Sequence, residues 1–152
     1  MDRGEHARIE QLSDEECWRL LADAPVGRVG LIVDDAPEIY PVNHLVDNGT
    51  IVFRSDPGTK LAGLARHPVV CFQVDGFDPQ QRVGWSVLVK GRAQQVRQMP
   101  DAEERRRVEG LPVDYWAPGP KWYRVRIVPI DVTGRRIRHP TRDEEDDRRA
   151  PD

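Results

Sequence analysis

The chain has 152 residues and a formal net charge of −3, with 32% charged side chains, which is enough for one domain with its own core but not for two. There is no basic excess of the kind that draws a protein to nucleic acid, no run of about 18 apolar residues to span a membrane, and no apolar stretch near the polar start MDRGEHARIEQ. The reading is a soluble cytoplasmic protein with neither a nucleic-acid nor a membrane partner. The negative charge sits in the tail Thr141–Asp152, which holds six acids and three arginines, so the body before it is formally neutral.

Residues 1–11 are charged and poor in apolar anchors, and read as a flexible lead-in. Ser13-Asp14-Glu15-Glu16 matches a capping box ahead of Cys17, Leu20 and Leu21 at helical spacing, which predicts a helix stopped at Asp23-Ala24-Pro25. Val26–Val33 reads as a buried strand interrupted by Arg28 and turned back at Asp34-Asp35-Ala36-Pro37. Ile39–Leu45 and Ile51–Phe53 read as a β-hairpin around Asp47-Asn48-Gly49, because Asn48 and Gly49 tolerate positive φ. Its second strand runs into Arg54-Ser55-Asp56-Pro57-Gly58-Thr59-Lys60, a strand end and turn leading to a helix that Ser55 or Asp56 is placed to cap. That helix ends at His67-Pro68. Val69–Val74 is expected as a central strand, Val83–Val96 as a long strand bent at Gly91, and Met99–Val108 as a charged surface helix starting after Pro100. A Pro/Gly-rich loop with Tyr115 and Trp116 precedes Lys121–Arg138, read as the last strand pair. The tail 141–152 is too polar to order itself. The economical architecture is mainly β: a six-stranded antiparallel barrel over residues 12–140 with a few short flanking helices.

Chemistry concentrates at the end of the hairpin. A guanidinium (Arg54), a hydroxyl (Ser55), a Gly-containing turn and an ammonium (Lys60) converge where helix N–H groups point outward, which is a pocket for a phosphate. The polar pair Asn43-His44 lies one strand earlier, with aromatics at Trp85, Trp116 and Trp122. A phosphorylated planar ligand suits these parts. The four histidines are scattered, and Cys17 and Cys71 have no CxxC spacing, so no metal site is expected. No nucleophile elbow is present, and Gly58-Thr59-Lys60 departs from the order of a nucleotide-hydrolysing loop.

Taken in order, Leu12-Ser13 with its helix, Val26-Gly27-Arg28, Pro41-Val42-Asn43, Ile51 to Ser55 followed by Gly58-Thr59-Lys60, Gly84-Trp85-Ser86-Val87 with Lys90-Gly91, and Thr133-Gly134-Arg135 resemble the pyridoxamine 5'-phosphate oxidase-like family. These are FMN-binding split-barrel flavoproteins, and the resemblance is to their small actinobacterial-type and nitroimidazole-reductase-like members, from about Leu12 to about Arg138. It implies a homodimer with the cofactor in the subunit interface. Arg54, Ser55 and Lys60 would hold the FMN phosphate, and Pro41, Val42 and Asn43 would lie along the flavin edge. Trp85 and Ser86 would come from the partner or line the same cleft. The implied activity is an FMN-dependent oxidoreductase passing hydride from NAD(P)H or a reduced deazaflavin to a small electrophilic acceptor, the flavin supplying the electron chemistry. His44 and Arg28 are the candidates for polarising or protonating that acceptor. His44 departs from the family pattern, which often has tyrosine there. A deazaflavin is the alternative cofactor. A non-catalytic flavin- or haem-binding module for storage, sensing or protection is the alternative function, with His44 or His67 as the haem ligand on offer.

Overall fold

Two tight turns set the register of the first half of the sheet. In a computed structural model, which describes residues 7–113 and 123–149, β2 (Gly27–Val33) and β3 (Ala36–Val42) are joined through Asp34 and Asp35 at φ 49° and 62°. β4 (His44–Asp47) and β5 (Thr50–Ser55) are joined through Asn48 and Gly49 at φ 46° and 70°. Both are mirror-image turns whose twist matches that of paired strands, and the second is the hairpin expected from Asn48-Gly49. The strand expected over Ile39–Leu45 is two strands. It breaks at Asn43, so that β3 pairs with β2 and β4 with β5. Alternation of side chains continues across the break, which is why the sequence pattern does not reveal it.

The remaining strands are β6 (Val69–Asp78), β7 (Val83–Gln95) and β8 (Tyr123–Arg138), with the expected irregularity of β7 between Lys90 and Gly91. All pairings are antiparallel, and the sheet order is β3-β2-β6-β7-β8-β5-β4. Its first and last strands are consecutive in the chain, separated by Asn43 alone. One residue cannot cross a flat sheet, so the sheet curls until its edges meet, and the result is a mainly β, antiparallel split barrel. The described residues form eight strands where six were expected. One strand not expected separately comes from the break at Asn43. The other is β1 (Arg8–Gln11), which pairs with Arg135–Arg138 of β8 although its side chains are exposed. The lead-in expected over 1–11 therefore includes a strand, held by backbone pairing that a local apolar count does not register. The segment 123–138 is one long strand, not a pair.

Burial alternates along β2, β6 and β7, and the inward residues Val29, Leu31, Phe72, Val74, Val87 and Val89 form one core with Ile51, Phe53, Val125 and Ile127. Helix α1 (Asp14–Asp23) closes one end, with Cys17 and Leu21 fully buried. Its N-cap is Ser13, whose hydroxyl accepts from Glu16 N at 3.2 Å. α2 (Thr59–Arg66) packs against β2 through Leu61, Gly63 and Leu64. α3 (Ala102–Glu109), capped by Asp101, covers a second small core of Val52, Val96, Met99, Val108 and Val113 on the outer side of β5. The tail expected to lack order carries α4 (Arg142–Arg149). Among the described residues no helix is long and apolar enough to cross a membrane.

Candidate functional site

The strand break organises one side of the site. Asn43 donates its side-chain amide to the Pro25 carbonyl at 3.3 Å, which ties the crossing chain to the turn after α1. On either side of the break the alternation sets the faces. Pro41 is exposed on the outer surface, whereas Val42 packs toward the barrel core. His44 also turns inward: its Nε2 lies 2.7 Å from the Leu21 carbonyl at the end of α1, and its ring meets Phe72 edge-on at 4.9 Å. Because a carbonyl only accepts, Nε2 carries the proton. Nδ1 is buried and finds no hydrogen-bond partner among the described residues. Burial holds the His44 pKa below the ordinary value, with the Leu21 bond acting the other way.

The end of β5 and the start of α2 form the other side. Gly58, at φ 145°, is the N-cap of α2 and has no side chain with which to cap it. A Cβ at Gly58 would meet nothing within 4 Å, so the position is open, and its φ favours glycine. Of the two expected caps, the buried Ser55 donates its hydroxyl to the Asp56 carbonyl at 3.1 Å. The first turn of α2 contains no acid. Lys60 lies in that turn, and its ammonium sits 3.9 Å from the centre of the Tyr40 ring. Tyr40 in turn donates its hydroxyl to Glu38.

Arg54 and Lys60 were expected to converge; the contacts described for each are with different groups. Arg54 follows Val52 by two residues and turns to the outer side beneath α3, where its guanidinium approaches the Val113 carbonyl at 3.5 Å. Directly across the strand pair lies Arg124, which donates to the Leu111 carbonyl at 2.6 Å. Burial, and after it the charge of Arg54, push the Arg124 pKa below its ordinary value. Arg28 lies opposite Pro41 on the outer face, and its guanidinium is held by Gln73 at 3.2 Å and Asp75 at 3.1 Å. Trp85 and Ser86 point to opposite faces of β7. Trp85 covers Gly76, where a Cβ would come within 2.0 Å of the indole. Ser86 lines an outer hollow with Ile9, Gln11, Leu88 and Thr133. Tyr115, Trp116 and Trp122 lie outside the described residues.

Sequence reading missed Tyr40, Glu38 and Arg124. Tyr40 and Glu38 share a face two residues apart, and that spacing is a usable signal, but the contact of Tyr40 with Lys60 depends on α2 returning to pack on β2, the strand beside β3. The cross-strand approach of Arg124 to Arg54 depends on a register between distant segments.

Residues 13–136 match the family model described as pyridoxamine 5'-phosphate oxidase. An uncharacterized protein of Mycobacterium tuberculosis is 36% identical over 134 residues, covering 85% of this chain and 86% of that protein. Among solved structures, a candidate pyridoxamine 5'-phosphate oxidase from Corynebacterium glutamicum superposes with a TM-score of 0.72 at 30% identity, over 86% of this chain and 99% of its own. The FAD binding protein from Mycobacterium smegmatis superposes with a TM-score of 0.65 at 38% identity, over 84% of this chain and 97% of its own.

Proposed function

Since the chain belongs to the pyridoxamine 5'-phosphate oxidase family, we propose that it is a flavin-binding protein, and more finely an FMN-dependent oxidoreductase. The observation that carries this reading is the start of α2. Its N-cap is a glycine, its first turn holds no acid, and Lys60 is in that turn. The N–H groups of a helix start, the positive end of the helix dipole and an ammonium together suit a phosphate. The break at Pro41, Val42 and Asn43 is proposed to lie along the ring of the flavin, with Ser55, Lys60 and the α2 amides at its phosphate. Arg54 is the remaining phosphate candidate, approaching from beneath α3.

A bound flavin supplies hydride chemistry. In this reading the hydride comes from NAD(P)H or a reduced deazaflavin and passes to a small electrophilic acceptor. Arg28, beside Pro41, offsets negative charge on that acceptor. His44, with Nε2–H committed to Leu21 and its ring against Phe72, supports the strand break from within. Its neutral, inward-facing ring favours this supporting role over proton donation. The flavin lies between two copies of the chain, with Trp85 and Ser86 of the second copy completing the cleft. Ile39, Phe77 and Ile9, at 71%, 64% and 64% exposure on the outer surface of the sheet, support burial of that surface, because large apolar side chains of this kind mark interaction sites.

The test is an absorbance spectrum of the purified protein before and after excess FMN and desalting, with chromatography of the flavin released by heat. Retained flavin bands with FMN as the released species are expected. Release of FAD would change the cofactor and keep the phosphate site. A Soret band would put haem in its place, and a protein that retains neither FMN nor FAD but binds a deazaflavin would move the assignment to that cofactor. Failure to retain any of them would overturn the reading.

A further inference from the structure

The outer surface of the barrel carries a hollow of about 300 Å³ lined by Ile9, Gln11, Ser86, Leu88, Thr133 and Arg135. The strand register accounts for it. Ser86 lies across from Arg135, and Arg135 from Gln11, in one row over β7, β8 and β1, with Leu88 and Thr133 in the row beside it. Gly134 faces the core, where a Cβ would come within 2.6 Å of Cys17 Sγ, so Thr133 and Arg135 on either side of it both project outward. Ser86 and Thr133 are short, and Gly84 in the next row has no side chain. The longer Leu88, Ile9 and Arg135 stand around them and leave the depression.

The polar groups of the hollow are not engaged by the protein. The side chains of Arg135, Ser86, Thr133 and Gln11 make no hydrogen bond or ion pair among the described residues. Neighbouring acids are turned to other arginines: Glu10, beside Gln11, lies 3.8 Å from Arg136, and Asp75, across from Ser86, is held by Arg28 at 3.1 Å. The hollow thus offers one guanidinium, two hydroxyls and an amide between the apolar side chains of Leu88 and Ile9. The planar N–H fork of an arginine matches the two oxygens of a carboxylate. Its single charge balances a monoanion, whereas a phosphate dianion would call for a second cation.

We propose that this hollow binds the carboxylate of a small organic acid whose remaining body is apolar, with Arg135 as its anchor. The site stands on its own side chains. Its role rests on the flavin reading above, which brings Ser86 to the cleft between copies, and there it assigns the class of the acceptor: an organic acid rather than a neutral or phosphorylated molecule.

The experiment titrates the full chain, with any flavin it retains, with hydrocinnamate and with its neutral counterpart hydrocinnamide. Binding is followed by amide chemical shifts, and flavin retention and molecular mass are recorded on the same samples. Hydrocinnamate is expected to bind in roughly the millimolar range and to move the amide signals of Ser86, Leu88, Thr133 and Arg135. Hydrocinnamide should bind roughly fivefold more weakly, the size of an exposed charge-assisted pair. Arg135→Gln should weaken hydrocinnamate by that same factor, leave hydrocinnamide within about twofold, and keep flavin retention and mass unchanged. Arg135→Lys keeps the charge without the fork and should fall between. Equal binding of acid and amide, an unchanged acid affinity in Arg135→Gln, or shifts confined to other surfaces would overturn the site. Phenyl phosphate bound more tightly than hydrocinnamate would overturn the carboxylate class, and loss of a dimer in Arg135→Gln would assign Arg135 to the contact between copies instead. Wild-type protein that binds the acid but retains no flavin or deazaflavin would overturn the acceptor role. Wild-type protein that retains flavin but binds no acid would overturn this inference and leave the flavin reading standing.

Discussion

His44 shows how a residue type that suggests catalysis can be given a different task by its neighbours. Its ring is neutral, faces the barrel interior and donates to the Leu21 carbonyl at 2.7 Å, and burial lowers its pKa from the ordinary 6.5. The unfolded chain therefore takes up the proton first as pH falls. The contribution of His44 to stability is complete above about pH 6.5, and it declines as pH drops from there through the depressed folded value. Denaturant titrations at pH 7 and pH 5 should show a loss of stability that is smaller in His44→Phe. That variant should also lose about 1 kcal/mol at pH 7, where the Leu21 carbonyl is left without its donor. An equal pH dependence in both proteins would place the titrating group elsewhere. Asp47, Asp75 and Glu104, whose pKa values are lowered by hydrogen bonds, act at more acid pH and do not share this window. Of the candidate residues, the placement of Ser55 and Lys60 on either side of one turn was legible, because they flank it in sequence. The inward direction of His44 was not, because alternation assigns it to a face without saying which face meets the core.

The elements differ in how they are held. α1 and α2 pack on the main core, whereas α3 rests on a smaller one and is also clamped by charge. Arg107 grips Asp47 with two hydrogen bonds of 2.9 and 2.8 Å and reaches Glu104 at 2.7 Å. Glu104 is also 3.7 Å from Arg126. Asp47 ends β4, so the clamp fastens α3 to the hairpin whose far end leads to α2. Asp47→Asn removes the charge while keeping the shape. It should speed hydrogen exchange of α3 amides and leave those of β6 and β7 unchanged, since local opening follows local contacts. Unchanged exchange in α3 would mean that Val108 and its apolar neighbours hold the helix without help. The existence of α3 was legible from Pro100 and its charged surface. Its docking was not, because both Asp47 and Val52 belong to a segment about fifty residues earlier.

At the scale of the whole molecule, the barrel follows from one constraint: the two ends of the sheet are joined by Asn43. The antiparallel order and most strands could be read from turns and alternation. The barrel was expected, but the pairings that close it could not be read, since they join β2 to β6 and β5 to β8 across long stretches of chain, and neither could β1, whose exposed RIEQ is recruited by residues 135–138. The outer surface of the closed sheet carries the proposed contact between copies. Sedimentation equilibrium should give the mass of a dimer, and Ile39→Glu combined with Phe77→Glu should give a monomer with weakened FMN retention. A dimer unaffected by both changes would move the contact to another surface. The edge of β3, which among the described strands is hydrogen-bonded to β2 alone, imposes a further limit on how copies meet. Counting from the two-residue turn at Asp34-Asp35, the N–H positions of residues 37, 39 and 41 point away from β2, and two of the three are Pro37 and Pro41. Proline has no donor to offer. Strand-on-strand growth along this edge is thereby blocked, so the molecule can present an apolar outer surface to a second copy without seeding open-ended fibres.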